Sequence, residues 1–166
     1  MKKSLLTVAF CCIVMLFASC KKEAANEKFI GTYNGQATFS ATIIATGIGE
    51  IPSSRTAEIS MSIAAGDADN RVVATITAVG EEETEPFVIN GTVEGTKIDF
   101  DDYNRTETAE GTTITAEGDF VATLNGNVLT LDGELEGSGT IAMEDLPMPI
   151  PITVKGTITG DLNKVQ

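Results

Sequence analysis

The chain contains no histidine and no tryptophan, and aromatic residues make up only 5% of it. Without imidazole, Ser–His and Cys–His nucleophile pairs and histidine-ligated metal sites are excluded. Acid–base chemistry would have to rest on carboxylates alone, as in glycoside hydrolysis, and too few aromatic side chains are present for a sugar-binding platform. We therefore predict a protein that is not an enzyme and that uses no cofactor and no metal.

Cysteine is also scarce, because the three cysteines all lie within the first twenty residues. The remaining chain has no thiol with which to form a disulfide, so the spacing is not a disulfide framework. The cysteines must instead be understood from the segment that contains them.

That segment consists of a basic start, an apolar run from Leu5 to Phe17, two small residues and then Cys20. This order is typical of a secretory signal peptide with a lipobox. A membrane-spanning helix is the alternative, but thirteen residues cover only about 20 Å of the ~30 Å hydrocarbon core. We predict that residues 1–19 are removed and that Cys20 takes a diacylglycerol, with palmitate as an expected acyl chain. Ordinary signal peptidase cleavage stays open as a second route.

Acidic residues outnumber basic ones by 24 to 11, giving a formal net charge of −13. The long-range field of such a surface repels phosphate, which argues against nucleic acid and anionic headgroups as partners. We expect contact with the membrane only through the lipid, with residues 20–28 as lipidated cysteine and tether. Solubility is the simplest role of the charge.

The rest of the chain alternates between apolar and polar residues with a period of two. From residue 31 to 45 the odd positions are glycine, alanine, Ile43 or aromatic, whereas the even ones are mostly Thr, Ser, Asn and Gln. This period indicates a strand buried on one face. The alternation recurs over residues 59–63, 87–95, 98–100, 114–124, 129–135 and 152–158, and residues 72–79 are apolar on both faces. We predict an all-β, antiparallel meander of about eight strands.

A weak repeat, Gly-x-apolar-x-Gly, bears on how that meander closes. It occurs at residues 31–35, 91–95, 133–137 and 156–160, with both glycines on the face of the large residue. Glycine weakens a strand unless the backbone bends or approaches a neighbour closely. The repeat therefore favours a barrel over a β-sandwich, although coincidence in a Gly- and Thr-rich chain would also produce it.

The lipobox, the tether and the opening Phe29-Ile30-Gly31-Thr32-Tyr33-Asn34-Gly35 resemble the calycin-like lipoprotein domains of Bacteroidetes. The resemblance covers residues 29–166. It implies a lipocalin-type barrel whose cup holds an apolar small molecule, with Tyr33 standing where the family's Gly-x-Trp plug has tryptophan. It also implies a lipid-anchored protein of the Gram-negative cell envelope, at the outer membrane, on a face that the sequence leaves open.

For a ligand-carrying barrel, we expect the cup to be lined by the large inward residues Tyr33, Phe39, Met61, Phe100 and Phe120. An alternative is a structural or adhesion domain whose outer surface binds protein or glycan partners. For that role the candidate is the proline-rich stretch after residue 145, where alternating prolines fix an extended loop carrying Leu146, Met148 and Ile150. Ile48, Ile51 and Pro52 are predicted to form a second apolar loop.

Two acidic stretches invite a catalytic or calcium-binding interpretation, at residues 81–83 and 99–103. Calcium prefers six to eight oxygen ligands supplied by loops. Residues 66–70 begin like an EF-hand loop, but Arg71 occupies a position that requires an oxygen ligand. We interpret these acids as solvated turns that discourage pairing with strands of other molecules.

Overall fold

The computed structural model describes residues 24–80, 86–109, 112–142 and 149–165. Apart from a short 3-10 helix at Glu27–Phe29, the elements are all strands. They are β1 (Gly31–Ala45), β2 (Gly49–Ala65), β3 (Arg71–Ala78), β4 (Phe87–Glu94), β5 (Lys97–Phe100), β6 (Tyr103–Ala109), β7 (Thr112–Asn125), β8 (Val128–Ile141) and β9 (Ile150–Lys164). The part of the chain that the structure describes contains no helix long and apolar enough to cross a membrane.

Strand β1 shows how the alternation produces the fold. Tyr33 and Ala37 are fully buried on its inner face, because successive side chains of a strand point to opposite sides. On its outer face the Thr38 hydroxyl lies 3.0 Å from that of Thr56 on β2. The predicted strand over residues 31–45 is confirmed, and it pairs along its length with β2 and β9.

All neighbouring strands are antiparallel and consecutive in the chain, except that β1 pairs with β9 and that β5 pairs with β7, where the sheet closes. The fold is an eight-strand antiparallel β-barrel. Nine strands fill eight positions because β5 and β6 pair with successive parts of β7. The predicted all-β meander and its closure are confirmed.

Between β5 and β6 the chain contains one extra residue. Asp99 lies opposite Val121 and Tyr103 opposite Gly118, so three residues on one strand face two on the other. Such a bulge bends a strand, and β6 pairs with β7 but not with β4 in the described part of the sheet. One end of the barrel wall is therefore incomplete.

On its other side, this opening is bordered by the first half of β2. Residues 49–58 pair with β1, whereas β3 covers only Ile59–Ala65. The molecule thus has a closed end, where all eight positions are filled, and an open end, where the sheet continues without β3 and β4. The largest fully buried side chains belong to the closed part: Tyr33, Phe29, Met61, Ile63, Ile98, Leu129, Leu162 and Val72.

Inward glycines let neighbouring strands approach each other closely. A Cβ on Gly160 would lie 2.6 Å from the Gln36 carbonyl oxygen and 3.0 Å from the Ala37 Cα. Gly133 and Gly91 are similarly crowded by inward side chains. Gly95 differs, because it lies in the β4–β5 turn with φ +56° and open space around it. The prediction that both glycines of a copy share the face of the large residue was therefore wrong for residues 91–95.

Parts of two predicted loops belong to strands. Ile51 and Pro52 belong to β2, opposite Ile43 and Thr42, because Gly47 at φ +81° makes a tight connection that leaves only residues 46–48 unpaired. Of the predicted second loop, only Ile48 lies in this turn. Ile150 begins β9 opposite Ile141, so it is not part of a projecting loop. The same loop's Leu146 and Met148 lie outside the described residues, as does Cys20.

Replacing Gly160 by alanine should destabilise the barrel. The new methyl group would meet neighbouring backbone atoms, which yield less readily than a side chain, and overpacking typically costs about 1–3 kcal/mol. Thr159→Ala, at the adjacent exposed position, is the matched control. Urea unfolding should show a lower midpoint for Gly160→Ala than for Thr159→Ala, and equal midpoints would contradict the close approach of β9 to β1.

Candidate functional site

An apolar cavity of about 310 Å³ lies where the closed part of the barrel meets its open end. Its wall is supplied by residues of β1 to β9, most of them with inward aromatic or aliphatic side chains. The barrel interior continues here without a complete wall, so the cavity opens to the outside. Ligand sites in proteins occupy about 300–1,000 Å³ and are lined mainly by such side chains, so this cavity is the candidate site.

Four of the five predicted cup residues come together in the cavity wall, namely Phe39, Met61, Phe100 and Phe120. Tyr33 does not line it. Phe39 remains 38% exposed at the mouth, whereas Met61 is fully buried below it. The cavity thus has a solvent-exposed rim and a buried floor.

Tyr33 lies at the closed end instead. Its hydroxyl donates a 2.9 Å hydrogen bond to the Phe29 carbonyl oxygen, and burial raises the pKa of that hydroxyl. The Lys164 ammonium lies 5.5 Å from the centre of the Tyr33 ring and donates to the Lys28 carbonyl oxygen at 3.1 Å. These contacts hold the 3-10 helix and the end of β9 together at the closed end of the barrel.

The structure adds several cavity residues to those predicted: Ile76, Phe87, Ile89, Tyr103, Leu131 and Leu135. The alternation marks Phe87, Ile89, Leu131 and Leu135 as inward positions, but it does not tell which inward residues share a cavity. Tyr103 is the last residue of the acidic stretch 99–103. Because the charge of that stretch predicted a solvated turn, the sequence did not identify Tyr103 as an inward residue.

An aromatic row crosses the incomplete wall. The ring of Tyr103 meets Phe87 edge to face at 5.3 Å and Phe120 at 5.8 Å between centroids. Such pairs contribute about 0.5–1.5 kcal/mol beyond their buried area. Because β4 and β6 are not paired, the contact of Phe87 with Tyr103 joins the two strands through side chains.

Charged groups are few in the cavity. Arg105 and Asp132 are the charged residues of its wall. Arg105 lies opposite Ala116, another wall residue, and so belongs to the inner face of β6. Asp132 lies between the inward residues Leu131 and Gly133, so its side chain belongs to the outer face of β8.

Asp101, in the acidic stretch after β5, forms an ion pair with Arg71. Arg71 donates to both carboxylate oxygens of Asp101, at 3.0 Å and 2.7 Å, and also to the Thr92 hydroxyl. The hydrogen bond from Arg71 lowers the pKa of Asp101. Across the described ranges, no three Asp, Glu or Cys residues gather in a way that would hold a metal ion.

No protein-family model matches the chain, and no curated protein matches it. Among solved structures it is similar to a protein of unknown function from the DUF3598 family of Nostoc punctiforme, at 12% identity and a TM-score of 0.32, over 81% of this chain and 47% of that one. It is also similar to a multidomain protein including DUF1735 from Bacteroides ovatus, at 12% identity and a TM-score of 0.26, over 78% of this chain and 48% of the other. The chain spans about half the length of each. Membership of the calycin-like family stays a prediction.

The ion pair predicts a pH dependence. The pKa of Asp101 is lower in the folded protein, so the pair stabilises the fold fully above the unfolded-state pKa and loses this contribution as the pH falls through the folded-state pKa. Arg71→Gln should raise the pKa of Asp101 in an NMR carboxyl titration, whereas Lys97→Gln should leave it unchanged. An unaltered pKa in Arg71→Gln would show that the pair does not persist in solution.

Proposed function

We propose that this protein is a lipid-anchored, exported, non-catalytic binding module that holds one small apolar molecule in the cavity of its barrel. The observation that carries the proposal is the cavity itself, an apolar space at the mouth of a closed barrel, bounded by Met61 and Phe100 below and by Phe39 at the rim. A core built only for stability would be packed without such a space.

The chemistry of the wall defines the kind of ligand. Burial of apolar surface contributes about 25 cal/mol per Å², and the wall offers Phe, Met, Ile and Leu side chains to receive it. The volume corresponds to about ten water molecules in the liquid, so the buried part of a ligand is small. Arg105 lies among the wall residues on the inner face of β6, so a ligand with a polar end would meet a charged side chain there.

The non-catalytic part of the proposal rests on the same residues. The described residues of the cavity wall include no cysteine or serine and no pair of acids, and the sequence has no histidine. Binding by burial needs none of these groups. The lipid anchor is proposed from the lipobox and from Cys20.

Filling the cavity should abolish ligand binding. Ala116 faces the cavity from β7, so Ala116→Phe places a ring in the space where a ligand would lie. Glu117→Phe, at the neighbouring exposed position, adds the same ring on the outer face as a matched control. Titration with the neutral fluorescent probe N-phenylnaphthylamine should show saturable binding to the parent protein and to Glu117→Phe, and none to Ala116→Phe.

Circular dichroism and the urea midpoint establish that both variants keep the strand fold. Equal probe binding by folded Ala116→Phe and Glu117→Phe would place the probe elsewhere and contradict the cavity as the site. Absence of binding to the parent protein by any apolar probe would contradict the proposed carrier role.

The anchor has a test of its own. Cys20→Ser removes the thiol that the lipid requires, so the protein should lose incorporation of labelled palmitate and move from the membrane fraction to the soluble fraction. Expression of both forms in a Gram-negative host, with fractionation and metabolic labelling, measures this. Unchanged labelling in Cys20→Ser would show that the acyl chain is attached elsewhere.

A further inference from the structure

The chain enters the barrel at its closed end. The Asn26 backbone donates to the Asp69 carbonyl oxygen at 3.1 Å, and the Asn26 side chain donates to the Arg71 carbonyl oxygen at 2.8 Å. Asp69 lies in the β2–β3 connection and Arg71 begins β3, and Asn26 is only 3% exposed. Phe29, three residues later, is fully buried, so the first described residues are fixed to this end.

The open end lies far from that point. Strand β1 runs over 15 residues from the closed end to the β1–β2 turn. With a rise of about 3.3 Å per residue and a strand tilt of about 40°, its two ends are separated by about 35 Å along the barrel axis. Phe39, at the rim of the cavity, lies eight residues along β1 from Gly31, so the mouth is about 20 Å along the barrel axis from the end that carries Asn26.

The predicted tether is short in comparison. Four peptide links separate Cys20 from Ala24, and they span at most about 15 Å when fully extended. Residues 24–28, which the sequence assigned to the tether, lie at the closed end and contribute no further reach. A lipid on Cys20 therefore holds the closed end within about 15 Å of the bilayer surface.

From this geometry we propose that the barrel stands on the bilayer with its closed end down and its open mouth directed away, so that the ligand is exchanged with the aqueous side and not with the bilayer that holds the anchor. The inference rests on the anchored, ligand-binding function proposed above. It adds the source of the ligand, which that function leaves open.

The charge on the outer wall supports the upright orientation over one in which the barrel lies on its side. Glu117, Asp119, Glu134 and Glu136 project outward from β7 and β8 and are all exposed. Contact of this wall with anionic headgroups would be repulsive. The exposed apolar side chains Ile44, Ile48 and Ile51, at 40–52%, lie at the open end, which the upright orientation directs away from the bilayer.

Energy transfer from single labelled sites to the membrane tests the orientation. The lipidated mature protein, which begins at Cys20, is inserted into vesicles of phosphatidylethanolamine and phosphatidylglycerol that contain a headgroup-linked acceptor dye. The donor dye is attached to Asn127→Cys, in the exposed β7–β8 turn of the closed end, or to Ile48→Cys, in the exposed turn of the open end. Cys20 does not compete for the label when its thiol is acylated.

We expect transfer from the Asn127 site to exceed transfer from the Ile48 site several-fold. Equal transfer from the two sites would indicate a barrel lying on its side. Stronger transfer from the Ile48 site would indicate a mouth directed at the bilayer. Either result overturns the proposed orientation but leaves the lipid anchor unaffected. Flotation of the vesicles is measured first, because protein that does not float with them has no anchor, and this overturns the anchor and the orientation together.

The aqueous route has its own readout. N-phenylnaphthylamine is added from solution to the vesicle-bound protein and, separately, to the detergent-solubilised protein. The rate at which the probe binds is compared between the two preparations. Similar rates support exchange with the aqueous side. A rate that falls several-fold on the vesicle would show that the membrane covers the mouth, which overturns the inference even if the probe still binds.

Discussion

Three residue pairs between β5 and β7 close the barrel, and the rest of the structure depends on them. Lys97, Ile98 and Asp99 lie opposite Thr123, Ala122 and Val121. Ile98 and Ala122 are fully buried, so the ladder is covered by the core that it encloses. Without these pairs the meander would be an open sheet with two free edges, which attract other strands.

The opening in the barrel wall begins directly after the segment that closes the barrel. Immediately beyond Asp99 the extra residue of the bulge separates β6 from β4, and the ladder gives way to side-chain contacts between Phe87 and Tyr103. The inner face of the sheet remains apolar past this point. A cavity forms there because the apolar lining continues where the hydrogen-bonded wall does not.

These two features give the molecule distinct ends. At one end Tyr33, Phe29 and Lys164 hold the 3-10 helix and the last strand together, and the core is closed. At the other, long strands extend past the enclosed part and leave Phe39 and Ile51 partly exposed. Proposals for ligand exchange and for orientation on a membrane both follow from this difference between the ends.

The sequence by itself determined the strands and their inner faces, because a period of two fixes which side chains share a side. It marked Phe39, Met61, Phe100 and Phe120 as inward, and the structure places all four in one wall. Only the tertiary structure decided that Tyr33, on the same face of the same strand as Phe39, lies at the closed end. Position along the barrel axis depends on register and closure between distant strands, as between β5 and β7, and local alternation contains no information about either.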